Sequence, residues 1–207
     1  MNIALLNASP KRIDSTSGVL LEEIEPMLKG RNRTKLVSIL DFSPFTMAGY
    51  DVLVVSSPIH FDGLPSELIR CLTQLEAYFH ANPNPTYLVY GIANGDAPES
   101  ERTRYALWSL QHFCNAAGVQ WAGGLGIGGG GLLRALAEKG WEHKWKAPVY
   151  DALSEFAEDI AARRLLKDHH YVELALPRKK YLKKLTADAK MLAKEHGYRL
   201  KDLDVEE

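Results

Sequence analysis

The chain has 207 residues, 46% of them hydrophobic and 25% charged, a globular composition with room for one well-packed domain. Its net charge of −1 is unevenly spread: Arg163–Lys201 carries 12 Lys/Arg against 4 Asp/Glu, a balance of +8 that leaves −9 for the rest. The apolar start, Met1–Ala8, is too short for a signal core or a membrane span, and no other segment approaches about 18 uninterrupted apolar residues, so a cytoplasmic protein without a membrane or nucleic-acid partner is expected.

In chain order, Asn2–Leu6 is a continuous apolar run ending at Asn7, the pattern of a strand buried on both faces. A helix is predicted from Thr16, with Gly30 as its C-cap and Pro26 kinking or shortening it. Thr34–Leu40 reads as a second strand and Asp51–Ser56 as a third; the link Ile39–Tyr50 holds at most one or two helical turns. A loop, SPIHFDGLP, leads to a helix starting at Pro65, where the missing proline N–H costs nothing. Thr86–Ile92 is a fourth strand, Ser100–Ala117 a helix stopped by Gly118, and Val119–Leu125 a weaker fifth strand. Gly128–Gly131 breaks the chain; Tyr150, Leu153, Phe156, Ala157 and Ile160 mark another helix, and Arg178–Glu195 a last, basic one. Tyr181, Leu182, Leu185, Ala189 and Leu192 give that helix an apolar stripe, expected to dock on the body or on a partner subunit. Strands alternating with helices predict an α/β fold with a parallel, doubly wound sheet of five strands.

Ligands of such sheets sit beyond the carboxyl ends of the strands, which singles out three loops. In Ala8–Ser15 and the helix start behind it, the hydroxyls of Ser9, Ser15, Thr16 and Ser17 and the cations Lys11 and Arg12 could surround a phosphate at a helix N-terminus, although Asp14 opposes an anion. Plain N-capping by Ser15 or Ser17 is the alternative reading of the same hydroxyls. No dinucleotide or triphosphate glycine fingerprint is present. In Ser57–Leu64, shaped by Pro58 and Gly63, Ile59, His60 and Phe61 offer apolar and aromatic faces that suit either a flat ring or a loop packed on its own helix with His60 at the surface. In Ala93–Glu99, Asn94-Gly95 reads as a turn whose backbone N–H groups could meet a ring's carbonyl edge. The cysteines, Cys71 and Cys114, form neither a disulfide framework nor a zinc site, His169-His170 lacks a third ligand, and no G-x-S-x-G elbow occurs, so no metal centre or hydrolase site is expected.

NASPKRIDST resembles the phosphate loop of the NAD(P)H-dependent FMN reductase group of the flavodoxin-like superfamily, usually N-G-S-P-R-K followed by Ser/Thr. SSPIHFDGLPSELIRCL resembles that group's second flavin loop, S-P-x-Y-x-x-x-x-P-x-x-L-K, and GLGIGGGGLL a segment of some small members. The resemblance covers about residues 1–165 and implies a flavodoxin-like three-layer sandwich with strand order 2-1-3-4-5, extended by residues 166–207. It implies that Ser9, Lys11, Ser15, Thr16 and Ser17 hold an FMN phosphate, that Pro58, Ile59, His60 and Phe61 line the isoalloxazine, and that Asn94 and Gly95 lie near its pyrimidine edge. Ala8 stands where the family has Gly and His60 where it has Tyr, and the Ile39–Tyr50 link has no cysteine, which excludes the branch that binds an iron–sulfur cluster. The activity implied is electron transfer from NAD(P)H through FMN to a quinone, flavin or nitro compound, in a homodimer, with the flavin carrying the chemistry and no catalytic side chain required. A flavodoxin-type electron carrier and a non-catalytic binding protein of the same fold are the alternatives.

Overall fold

The computed structural model describes residues 1–11, 15–30 and 32–198, without the side chains at 134, 135, 188 and 192. Six parallel strands form one sheet in the order β2-β1-β3-β4-β5-β6: β1 Asn2–Asn7, β2 Arg33–Ser38, β3 Val52–Pro58, β4 Leu88–Gly95, β5 Gln120–Gly128 and β6 His170–Glu173. The five expected strands keep the expected order. The sixth is a correction: His170–Glu173 pairs with Leu125–Gly128 and extends the sheet beyond residue 165. One compact unit runs from Met1 to Leu174, and a second begins at Ala175. The second unit contains α6, Arg178–Glu195, over the predicted span.

The strands are apolar because the sheet is covered on both faces. Ala4, Leu6, Leu53, Val55 and Val89 meet α2 (Ser66–Ala81) and α3 (Arg104–Ala117) through Leu68, Leu75, Leu110 and Cys114. By the two-residue alternation of a strand, Ile3, Leu5, Val52 and Val54, all buried, face the other side, where α1 (Thr16–Leu28) and α5 (Ala147–Ala161) pack against each other. Buried Tyr90 ties β4 to the segment just after α5 by donating to the Arg164 carbonyl at 2.8 Å.

Several element ends moved. α1 runs two residues past Pro26, and Lys29 rather than Gly30 is its C-cap. Pro65 is the N-cap of α2, one position before the helix. Two short 3₁₀ turns, Ile39–Asp41 and Pro44–Gly49, fill the link after β2. A further 3₁₀ turn, Ser100–Thr103, leads into α3, which stops at Gly118 in the left-handed conformation. The glycine run does more than break the chain. Gly128 ends β5, Gly129 turns with φ +79, and Gly130 opens α4 (Gly130–Ala135). A Cβ on Gly128 would collide with the Pro98 carbonyl, and the Gly129 N–H donates to the Ala97 carbonyl at 2.7 Å. Glycine there lets the β5–α4 backbone lie directly against the loop after β4.

Candidate functional site

β1 lies between β2 and β3, so the loops leaving the carboxyl ends of β1 and β3 diverge, the point at which doubly wound sheets open a crevice. A cavity of about 210 Å³ lies there. The loop after β1 gives it Ser9, Pro10 and Lys11, and the start of α1 gives it Ser15, Thr16 and Ser17. Pro58, Ile59 and His60 come from the loop after β3, Asn94 and Asp96 from the end of β4, and Gly131 from α4. Nine of the eleven residues predicted for the site are thus brought together. Arg12 and Asp14 lie outside the described residues.

The loop after β1 organises itself. Asn7 Oδ1 accepts from the Ser9 N–H at 3.1 Å and Ser9 Oγ from the Lys11 N–H at 3.2 Å, two consecutive side-chain turns. Asn7 Nδ2 then donates to Ser15 Oγ at 3.0 Å, closing the loop. Ser15 is the N-cap of α1, its Oγ accepting from the Gly18 N–H at 3.0 Å. The picture of four hydroxyls ringing one anion therefore needs correction. Ser15 caps the helix and gives its own proton to Asn7 Oδ1 at 3.3 Å, and Thr16 Oγ1 gives its proton to the Gly130 carbonyl at 3.0 Å. Ser9 and Ser17 accept in their hydrogen bonds, which leaves both hydroxyl protons to donate. With these, the unpaired N–H groups of the first turn of α1 and the Lys11 ammonium, the end of the cavity at α1 suits an anion.

Asn94-Gly95 is not a free turn. Both residues belong to β4, paired with Pro58 of β3 and with Ile127 and Gly128 of β5. The Asn94 side chain is only 4% exposed and donates to Ser17 Oγ at 2.9 Å and to the Ser57 carbonyl at 3.0 Å, joining β4, α1 and β3 under the cavity. Gly95 lies outside the cavity wall: a Cβ on it would sit 3.0 Å from Ile59 Cδ1, so its bareness seats Ile59. Sequence reasoning missed Asn7, Pro10, Asp96 and Gly131. Asp96 and Gly131 belong together, because a Cβ on Gly131 would stand 2.8 Å from Asp96 Oδ1, and both lay in segments already singled out.

Phe61 is the second departure. Phe61 and Asp62 have φ of +50 and +64 at the centre of a two-residue hairpin, in which His60 and Gly63 exchange N–H···O bonds of 2.9 and 3.0 Å. This turn requires left-handed φ at both central positions and usually employs Asn or Gly; for a bulky ring it costs about 1–3 kcal/mol. Arg102 meets the Asp62 carboxylate from Nε at 3.3 Å and Nη2 at 3.4 Å. The hairpin turns Phe61 out of the cavity, to 107% exposure.

Larger hollows also lie elsewhere. One of about 460 Å³ lies beside α5 at the amino end of β6, with Glu155, Asp159 and His169 in its wall. One of about 600 Å³ is formed by Phe42, Phe45 and Tyr78 beside α2. Neither gathers helix N–H groups and hydroxyls as the strand-end cavity does. Among the described residues no group of three or more His, Cys, Asp or Glu could hold a metal ion, and no helix is long and apolar enough to cross a membrane.

No family model and no curated protein sequence matches the chain. Solved structures do. A flavodoxin from Streptococcus pneumoniae TIGR4 superposes with a TM-score of 0.58 at 13% identity, over 79% of this chain and 99% of that one. The fold is flavodoxin-like. The flavodoxin-like fold also brings it near an archaeal flavodoxin (TM-score 0.55, 12% identity, 79% of this chain and 98% of that one). The azoreductase AzrA superposes at 0.50, with 11% identity over 79% of this chain and 100% of that one. Flavodoxins and azoreductases thus share the architecture with this chain.

Proposed function

We infer that the chain is an FMN-dependent NAD(P)H oxidoreductase that passes electrons to a small acceptor such as a quinone, a flavin or a nitro compound. One observation carries the reading: the loops after β1, β3 and β4 meet at the β1/β3 crevice, the first bringing helix N–H groups and hydroxyls and the second Ile59 and His60. The residues suit the cofactor. Ser9, Ser17, Lys11 and the first turn of α1 would hold its phosphate, with Ser15 and Thr16 fixing that turn. A cavity of 210 Å³ is small beside the roughly 300–1,000 Å³ of whole-ligand pockets, so it suits the phosphate and polyol chain, while Pro58, Ile59 and His60 would face the ring. When bound, the flavin supplies the chemistry by taking a hydride from the nicotinamide and releasing electrons to the acceptor. The chain's part is to bind and orient. A homodimer belongs to the same proposal and is checked by sedimentation.

The second reading is an electron carrier, favoured by the likeness to flavodoxins. Against it stands the charge pattern: a body of only moderate acidity joined to a basic stretch, where a carrier docking on basic partners calls for strong net negative charge. Loading the purified protein with FMN and mixing it anaerobically with NADH or NADPH separates the two. Rapid bleaching of the flavin followed by reoxidation with a quinone supports the enzyme; no bleaching by either nucleotide supports the carrier.

A further inference from the structure

Phe61 combines two unfavourable features at one residue. Its backbone is held at φ +50, where a bulky ring is a rare guest, and its ring is 107% exposed to solvent. The next residue repeats the left-handed conformation, and the paired bonds between His60 and Gly63 lock the turn. Arg102 holds Asp62 from the 3₁₀ turn after β4, which fixes the tip relative to the β4 end of the cleft. A glycine at 61 would satisfy the turn without strain and without an aromatic surface in water. The neighbours Ile59 and His60 line the cavity, and Phe61 does not. The ring therefore stands in solvent next to the cavity-lining Ile59 and His60, outside the volume that suits the phosphate and polyol chain.

We propose that Phe61 is a fixed stacking platform for the planar ring of the exchangeable substrate, a flat conjugated acceptor or a nicotinamide, and not a wall of the cofactor site. The inference rests on the oxidoreductase reading for what the substrate does, while the platform itself is a property of this hairpin. A ring already held in place loses little freedom when a flat ligand covers it, and such a pair prefers the offset-stacked geometry that an unobstructed ring allows. A strained residue at a binding edge is where such a cost is retained.

The test labels the protein with 4-fluorophenylalanine at its 6 phenylalanines and assigns the position-61 fluorine signal by its loss in Phe61→Leu. The signal of the FMN-loaded protein is expected to move on titration with menadione or with NAD⁺, and whichever moves it names the substrate. Phe61→Leu is expected to raise the KM of that substrate about three- to tenfold at unchanged kcat. If menadione is the substrate so named, reduction of ferricyanide, which offers no flat π face, should not change; if NAD⁺ is, it should change only below saturating nucleotide. Phe61→Gly should raise the thermal midpoint of the ligand-free protein, because strain is relieved. A signal that moves when FMN is added to ligand-free protein and then ignores menadione and NAD⁺ overturns the proposal, as does an unmoved signal with unchanged KM values. If the protein takes up no FMN, the oxidoreductase reading fails by itself. The platform is then judged on ligand-free protein, where a shift with menadione or NAD⁺ supports it and no shift with either overturns it.

Discussion

Replacing Ser15 separates the two jobs that meet at the start of α1. Its Oγ caps the helix by accepting from the Gly18 N–H, and the same residue lines the cavity at the proposed phosphate end. Aspartate is as good an N-cap as serine, and its charge favours the positive end of the helix, so Ser15→Asp should keep the fold within about 0.5 kcal/mol. Asn7 Nδ2, 3.0 Å from Ser15 Oγ, can donate to the new carboxylate as it does to the hydroxyl. An anion in the cavity then meets a like charge. At a separation of about 5 Å and an effective dielectric constant of about 20, the repulsion is about 3 kcal/mol per unit of anionic charge. That predicts a loss of more than about a hundredfold in FMN affinity. Ser15→Ala should show the converse: the cap is lost at about 1 kcal/mol while FMN binding persists. Thermal melts of the ligand-free proteins and titration of FMN by quenching of its fluorescence measure both quantities. If Ser15→Asp stays folded and binds FMN as tightly as the parent, the phosphate does not sit at this loop and the assignment is refuted.

Asn94→Leu should cost about 2–3 kcal/mol in urea unfolding, because it leaves the buried Ser57 carbonyl and Ser17 hydroxyl without their donor. Burial pushes the Cys71 thiol up to about 12 and raises that of Cys114 as well, so neither should react with a thiol reagent at mildly alkaline pH until the protein is unfolded, when both should. Burial is also the main reason that Tyr90 rises from 10.0 to about 12. The unfolded chain releases that proton first, so stability is full below pH 10 and falls as pH rises through 12; Tyr90→Phe should flatten this alkaline loss in a series of melts.

Much of the architecture was legible because the chain obeys simple periodicities. Central strands covered on both faces must be continuous apolar runs, so Asn2–Leu6, Asp51–Ser56 and Thr86–Ile92 stand out, and 3.6-residue spacing marks α3, α5 and α6. The strand ends were not legible. Asn94-Gly95 carries turn propensity, yet β4 continues through it because β3 and β5 offer partners on both sides, which local sequence does not encode. β6 was missed for a related reason: His-Tyr-Val-Glu is four residues at a sheet edge with only partial burial, too short and too polar for a hydrophobic run.

The site divides along the same line. Which loops meet follows from strand order, which the family resemblance supplied, so most of the residues facing the cavity could be named in advance. How each hydroxyl is used could not, because the decisive partners are remote in sequence: Thr16 gives its proton to Gly130, and Ser17 accepts from Asn94. Those bonds hold the loops in place before any ligand arrives, and they draw on the polar groups a ligand would otherwise use. Preorganisation and binding capacity therefore compete for the same side chains. Here the competition is resolved by role: Ser15 and Thr16 fix the geometry, and Ser9 and Ser17, each accepting from the protein, keep a proton to donate. On that division Thr16→Val should loosen the seat of α4 against α1 and weaken an anion only indirectly. Ser17→Ala should remove a donor outright.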